Sequence, residues 1–203
     1  MQRQVEPELM DDEQQVLAYA NADFSQSHSR VVEMFTTLFP DRDITGTVLD
    51  LGCGPGDVSF RFLRAFPKAK LMGVDGAAAM LQVARHHLVN EPALQNRCQF
   101  VQGIIPGAPI PAQPYELILS TSFLHHLHQP AVLWQTIRQH ATVGTVILIV
   151  DLRRPASETE ARQLVEQYTA DEPPILKRDF FHSLLAAFEP PEVEKQLVMA
   201  FFS

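Results

Sequence analysis

The stretch Val48-Leu49-Asp50-Leu51-Gly52-Cys53-Gly54-Pro55-Gly56-Asp57 limits what this chain can fold into more than any other. A short apolar run ends beside an acid, glycine then takes every second position, and Val58, Phe62 and Phe66 follow at helical spacing. The pattern predicts a buried strand that stops at a tight turn and opens into a helix. Without a Cβ, glycine lets backbone N–H groups approach a ligand that a side chain would hold off. In an open α/β sheet such a ligand lies outside the carboxyl end of the strand, at the helix N-terminus.

The remainder of the chain continues that alternation. Lys70 to Asp75 reads as a second strand ending in an acid, and Ala77, Met80, Leu81, Ala84 and Leu88 then recur at helical spacing. Cys98 to Gln102 reads as a third strand, Tyr115 to Ser120 as a fourth, and the almost continuously apolar Thr145 to Leu152 as a fifth, buried on both faces. Val132, Leu133, Ile137 and Ala141 mark the helix between the last two, and Gly107 to Pro114 reads as a proline-rich loop. Further helices follow through Ala161 to Tyr168, Phe180 to Phe188 and Val193 to Phe201. Upstream, residues 1 to about 13 form a loose or helical lead, Leu17 to Phe24 is ambiguous, and Val31 to Phe39 carries a helical stripe stopped by Pro40. Strands alternating with helices predict an α/β fold: a doubly wound, mostly parallel sheet with five identifiable strands and N-terminal helices. The expected organisation is a helical cap over 1–40 on a sheet domain over 41–203, within one structural domain.

Charge and cysteine usage narrow the partners. The net charge of −8 argues against a general nucleic-acid binder, which needs a basic face to displace counterions. No apolar run approaches a membrane span, and the polar, acidic start does not resemble a secretory signal. Cys53 and Cys98 fall in separate elements, so a disulfide framework is not expected and a reducing cytoplasm fits best. A small-molecule or a protein partner remains open on this ground.

Four segments, in order across residues 46 to 152, resemble the class I S-adenosylmethionine (SAM)-dependent methyltransferases, whose first motif is an acid followed by Gly-x-Gly-x-Gly. Dinucleotide-binding folds use Gly-x-Gly-x-x-Gly instead, and Asp57 stands where their third glycine would fall, aimed at a pyrophosphate. SAM carries a sulfonium and an amino group and no phosphate, so carboxylates are tolerated or useful. The resemblance implies SAM as cofactor, S-adenosylhomocysteine (SAH) as product, and a cofactor site at Asp50, Gly52, Cys53, Gly54 and Gly56. It adds Asp75 and Gly76, where the ribose hydroxyls arrive, and Met80, against adenine. It further adds Gly103 and Ile104 after the third strand, where many relatives place an acid on the adenine amino group; here that position is Ile104. Ser120 and Thr121-Ser122-Phe123-Leu124-His125-His126-Leu127 match the fourth segment and should border the methyl group.

Methyl transfer asks mainly for alignment of the acceptor with the S–CH₃ bond. The candidate catalytic residues are His125 and His126, since imidazole titrates near neutrality. No Cys or acid stands at ligand spacing in the sequence beside them, so no metal site is expected. Tyr19 could face the cofactor, though packing is its simpler role. The family's sheet has seven strands, and two find no counterpart here. The sequence therefore predicts either a shortened chain or an apolar edge at Val146 to Val150 open to another chain, such as a second copy. The leading function is methyl transfer from SAM to a small molecule. The alternatives are a SAM-binding regulatory or scaffold module without transfer activity, and an NAD-dependent oxidoreductase, which the glycine spacing disfavours.

Overall fold

Each expected strand forms within two or three residues of its place in the sequence. A computed structural model describes residues 1–10 and 12–202; Asp11, in the N-terminal lead, and Ser203, at the end of the 41–203 unit, lie outside the described residues. Strands β1 (Thr47–Leu51), β2 (Lys70–Asp75), β3 (Cys98–Gln102), β4 (Leu117–Thr121) and β5 (Val146–Val150) form one sheet in the order β3-β2-β1-β4-β5. Every pairing is parallel; Leu49 of β1 stands between Met72 of β2 and Ile118 of β4. The order reverses between β1 and β4, and that switch point at the carboxyl ends of the strands is where such sheets open a crevice.

The helices are α1 (Glu13–Asn21), α2 (Ser25–Leu38), α3 (Asp57–Ala65), α4 (Ala78–Val89), the single turn α5 (Pro92–Gln95), α6 (Ala131–His140), α7 (Glu158–Thr169), α8 (Pro174–Ala186) and α9 (Pro190–Phe201). Successive strand residues face opposite sides, so the sheet carries two cores. Val48, Leu117 and Leu119 pack with Phe35 of α2 and Phe62 and Leu63 of α3. Leu49, Leu51 and Ile118 pack on the other face with Leu133, Trp134 and Ile137 of α6. The ambiguous stretch before Phe24 is helical because Val16 packs on Ala77 and Met80 of the α4 region, while Asp12 caps α1 by accepting from the Gln15 N–H at 2.9 Å.

β5 differs from the expectation of a strand buried on both faces. It is an edge of the sheet, only Leu148 is fully buried, and Ile147 is 40% exposed. Leu148 belongs to the core on one face with Phe35 and Phe62, and Ile149 packs against the core on the other with Leu133 and Ile137. No helix among the described residues is long and apolar enough to cross a membrane.

Residues 1–10 form no regular element, yet they are fastened across the carboxyl edge of the sheet. The Arg3 guanidinium donates to the carbonyls of Ala186, His125 and Leu127 and lies 3.9 Å over the Phe188 ring. The Gln4 N–H donates to Leu185 O at 3.0 Å, and Glu8 accepts from the His128 N–H at 2.7 Å.

Candidate functional site

The turn after β1 is built by positive φ angles. Gly52 (φ 76°) and Gly54 (φ 52°) adopt a left-handed conformation that costs other residues about 1–2 kcal/mol. A Cβ on Gly52 would lie 2.3 Å from Phe123 Cγ, whereas one on Gly54 would meet nothing within 4 Å. The first glycine is therefore required for packing, and the second faces open space.

Asp75 ties the loops after β1 and β2 together. One oxygen accepts from the Gly54 N–H and the other from the Ala77 N–H, each at 2.8 Å. Both carboxylate oxygens are thereby held in fixed positions between the two loops. A cleft of about 360 Å³ opens beside it, and its lining includes Gly52, Asp75, Gly76, Gly103, Ile104 and Phe123. Five of the eleven expected cofactor residues thus converge on one wall. Ile104 is 60% exposed there, and Leu9 of the N-terminal segment lies over Gly76. A second hollow, of about 350 Å³, lies at the amino ends of the strands around Gly46 and Gly144, away from the switch point.

The other expected cofactor residues stand behind the wall. Asp50 is 1% exposed and accepts from Ser59 Oγ of α3 at 2.5 Å, while its Oδ1 has no hydrogen-bond partner. Burial pushes its pKa up to about 7; the Ser59 bond opposes this and the Asp75 charge adds to it. Cys53 is buried next to Gly73, and burial pushes its thiol well above the usual range. Gly56 precedes α3 with φ 84°, and Met80 is buried under α1. Ser120 is fully buried and its hydroxyl donates to Leu51 O at 2.8 Å, so here it braces β4 against β1 instead of bordering the cleft. Asp57 begins α3 and pairs with His28 (2.7 Å) and Arg61 (2.8 Å); burial raises its pKa, but these two bonds outweigh it and hold it at about 2.

The turn after β4 carries the histidines. Ser122, at φ 49°, takes the left-handed conformation and leads into a single 3₁₀ turn, Leu124–His126. Asp151, just past β5, accepts from the N–H groups of Phe123 (2.9 Å) and Leu124 (2.7 Å) through Oδ2 and meets His125 Nδ1 at 2.5 Å through Oδ1. A carboxylate only accepts, so His125 Nδ1 carries the hydrogen of this bond and the other ring nitrogen, Nε2, faces Glu6. Burial raises the Asp151 pKa, but His125 and the backbone donors hold it below the ordinary value. Nε2 of His125 lies 3.6 Å, and Nδ1 of His126 3.2 Å, from Oε1 of Glu6 in the N-terminal segment. Burial, with the neighbouring His125, pushes His126 down to about 3, so it is neutral. Burial raises Glu6, opposed by His125 and by the hydroxyl of Ser183. Glu6 and Asp151 carry no sequence signal that places them beside the histidines, because only the fold brings those three distant segments together.

Comparison with known proteins agrees with this geometry. The profile of a family described as a methyltransferase domain matches residues 48–144. Trans-aconitate 2-methyltransferase of Azoarcus is 30% identical over 138 residues, which is 68% of this chain and 49% of that protein. A SAM-dependent methyltransferase from Aquifex aeolicus superposes with a TM-score of 0.65 at 16% identity, covering 94% of this chain and 88% of that one. The plantazolicin methyltransferase BpumL, solved with SAH, superposes with a TM-score of 0.64 at 18% identity, covering 93% and 65%. The fold and the glycine turn define a Rossmann-like α/β protein with a cleft at the switch point. Residues 48–144 match a methyltransferase-domain family, and together these findings support a class I SAM-dependent methyltransferase. It spans about half the length of the curated relatives it matches.

Proposed function

We propose that this chain binds SAM in the switch-point cleft and transfers its methyl group to a small molecule. The observation that carries the reading is the convergence of Gly52, Asp75, Gly76, Gly103 and Ile104 on one wall. Asp75 would receive the ribose hydroxyls, and Ile104 with Gly103 would flank adenine. The Gly54 turn leaves room for the amino-acid end of the cofactor. Asp50, Cys53, Gly56, Met80 and Ser120 shape the wall from behind. Residues 1–40 act as the cap and 41–203 as the SAM-binding domain.

His125 is the proposed general base, its free Nε2 fixed by Asp151, with His126 packed beside it at a ring separation of 4.2 Å. That role requires Glu6 to move off Nε2 so that an acceptor can reach it. Acceptor identity does not carry over from the relatives. Trans-aconitate is a tricarboxylate, while the cleft lining includes Glu8 and Asp75 and, among the described residues, no Lys or Arg. A neutral or cationic acceptor fits this lining better.

One observation favours the second reading, a SAM-binding module without transfer: the N-terminal segment lies over Gly76 and against both histidines. The test is release of SAH from SAM with a panel of neutral, cationic and anionic acceptors. Turnover on any of them supports transfer; SAH binding without turnover on any supports the module.

A further inference from the structure

Three atoms able to ligate a metal, from two distant segments, meet in one place: Oε1 of Glu6, Nε2 of His125 and Nδ1 of His126. All lie within 4.8 Å of one another. The Asp151 carboxylate accepts from His125 Nδ1 and so turns Nε2 toward Glu6. Nδ1 of His126 is buried and has no hydrogen-bond partner. Buried nitrogen and oxygen atoms brought together in this way need a shared positive charge, which a proton or a bound metal ion supplies.

The spacing matches a particular class of ion. Zinc bonds of about 2.0–2.1 Å to imidazole and carboxylate place tetrahedral ligands about 3.3 Å apart. The Glu6 oxygen lies 3.2 Å from His126 Nδ1 and 3.6 Å from His125 Nε2. The supporting groups are also those of a metal centre. His125 donates its other ring nitrogen to Asp151, the carboxylate–histidine arrangement that orients a ligating imidazole. Ser183 Oγ donates to Oε1 of Glu6 at 3.0 Å and orients that carboxylate. Arg3 adds a positive charge nearby, but Glu6, Asp151 and Asp179 outnumber it.

We infer that Glu6, His125 and His126 form a site for a zinc-class divalent cation, supported by Asp151, which clamps the N-terminal segment onto the cleft. Glu8 and Leu9 follow Glu6 by two and three residues and line the cleft wall, so an ion on Glu6 fixes them there. The regulatory consequence rests on the proposed transfer reaction. The ion takes the Nε2 lone pair that a general base needs, so the ion-loaded form is closed and does not turn over.

The experiment titrates Zn²⁺, and Co²⁺ as its visible-absorbing substitute, into the untagged, metal-stripped chain, with SAH titrated separately. The site predicts one ion per chain, d–d absorption of Co²⁺ in low-symmetry nitrogen and oxygen coordination, and slowed hydrogen exchange at Glu8 and Leu9. Asp151→Asn should weaken the ion by roughly ten- to a hundred-fold. Combined Glu6→Gln and His126→Ala should abolish binding, and His86→Ala with His87→Ala, on α4, should leave it unchanged. Circular dichroism of each variant checks that it is folded. Absence of binding, binding that survives in folded Glu6→Gln/His126→Ala, or binding lost with His86 and His87 would each overturn the site. Ion binding without SAH binding would instead overturn the proposed function and leave the site standing.

Discussion

Gly52 and Gly54 differ by two positions and share a left-handed backbone, yet alanine should affect them in different ways. Gly54→Ala adds a methyl group to open space, so its stability cost is the left-handed conformation alone, about 1–2 kcal/mol. Gly52→Ala bears the same cost and also drives a Cβ to 2.3 Å from Phe123 Cγ and 2.7 Å from Phe123 Cβ. The second contact is with the root of the side chain, so a ring flip does not relieve it. Overpacking of this kind adds about 1–3 kcal/mol, for a total of about 2–5 kcal/mol. Binding should not follow stability. The open space at Gly54 is where the cofactor's amino-acid end would lie, so Gly54→Ala should weaken SAH at least about ten-fold, or about 1.4 kcal/mol, in a fold that is nearly intact. Urea unfolding gives the first quantity and calorimetric titration of SAH the second. Equal destabilisation by the two variants, or wild-type SAH affinity in Gly54→Ala, would refute the assignment of that space to the ligand.

Asp50 makes stability fall as pH rises. Its folded pKa of about 7 exceeds the ordinary value of 3.8, so the neutral carboxyl's stabilisation is complete below about pH 4 and is lost as pH climbs through 7. Asp50→Asn should flatten that slope, by on the order of a few kcal/mol between pH 4 and 8, in unfolding curves taken across the range. A sulfonium nearby favours the carboxylate, so SAM affinity in the wild type should rise with pH through about 7, and calorimetry in two buffers should record proton release. Ile104→Asp restores an acid at an exposed position and should strengthen SAH about three- to ten-fold, the worth of one hydrogen bond, with little change in melting temperature. Arg3→Ala removes three bonds to backbone carbonyls and should release the N-terminal segment, seen as faster exchange of the Gln4 amide, which now donates to Leu185 O.

The sheet was legible because its signals are local. The run before Gly52, the acid at Asp75 and the alternation of strand and helix depend on neighbours in sequence, and each strand formed near its expected place. The edge position of β5 was legible too, from the two strands that find no counterpart in the chain. Its incomplete burial was less so, because a continuous apolar run suggests covered faces while how fully the helices cover an edge strand is a property of tertiary packing. The histidine turn shows the other limit. Leu124-His125-His126 was visible, but its chemistry depends on Asp151, Glu6 and Ser183, which approach only after folding. The hydroxyl of Ser120 is engaged by the Leu51 carbonyl of the neighbouring strand, a partner that sequence does not announce.

The central claim is that the switch-point cleft is a SAM site, and calorimetric titration of the folded chain with SAM and SAH, against NAD as control, tests it most directly. The account predicts micromolar binding of SAM and SAH, none of NAD, and loss of binding in Asp75→Ala. A folded chain that binds neither SAM nor SAH, or that binds NAD in their place, would contradict it.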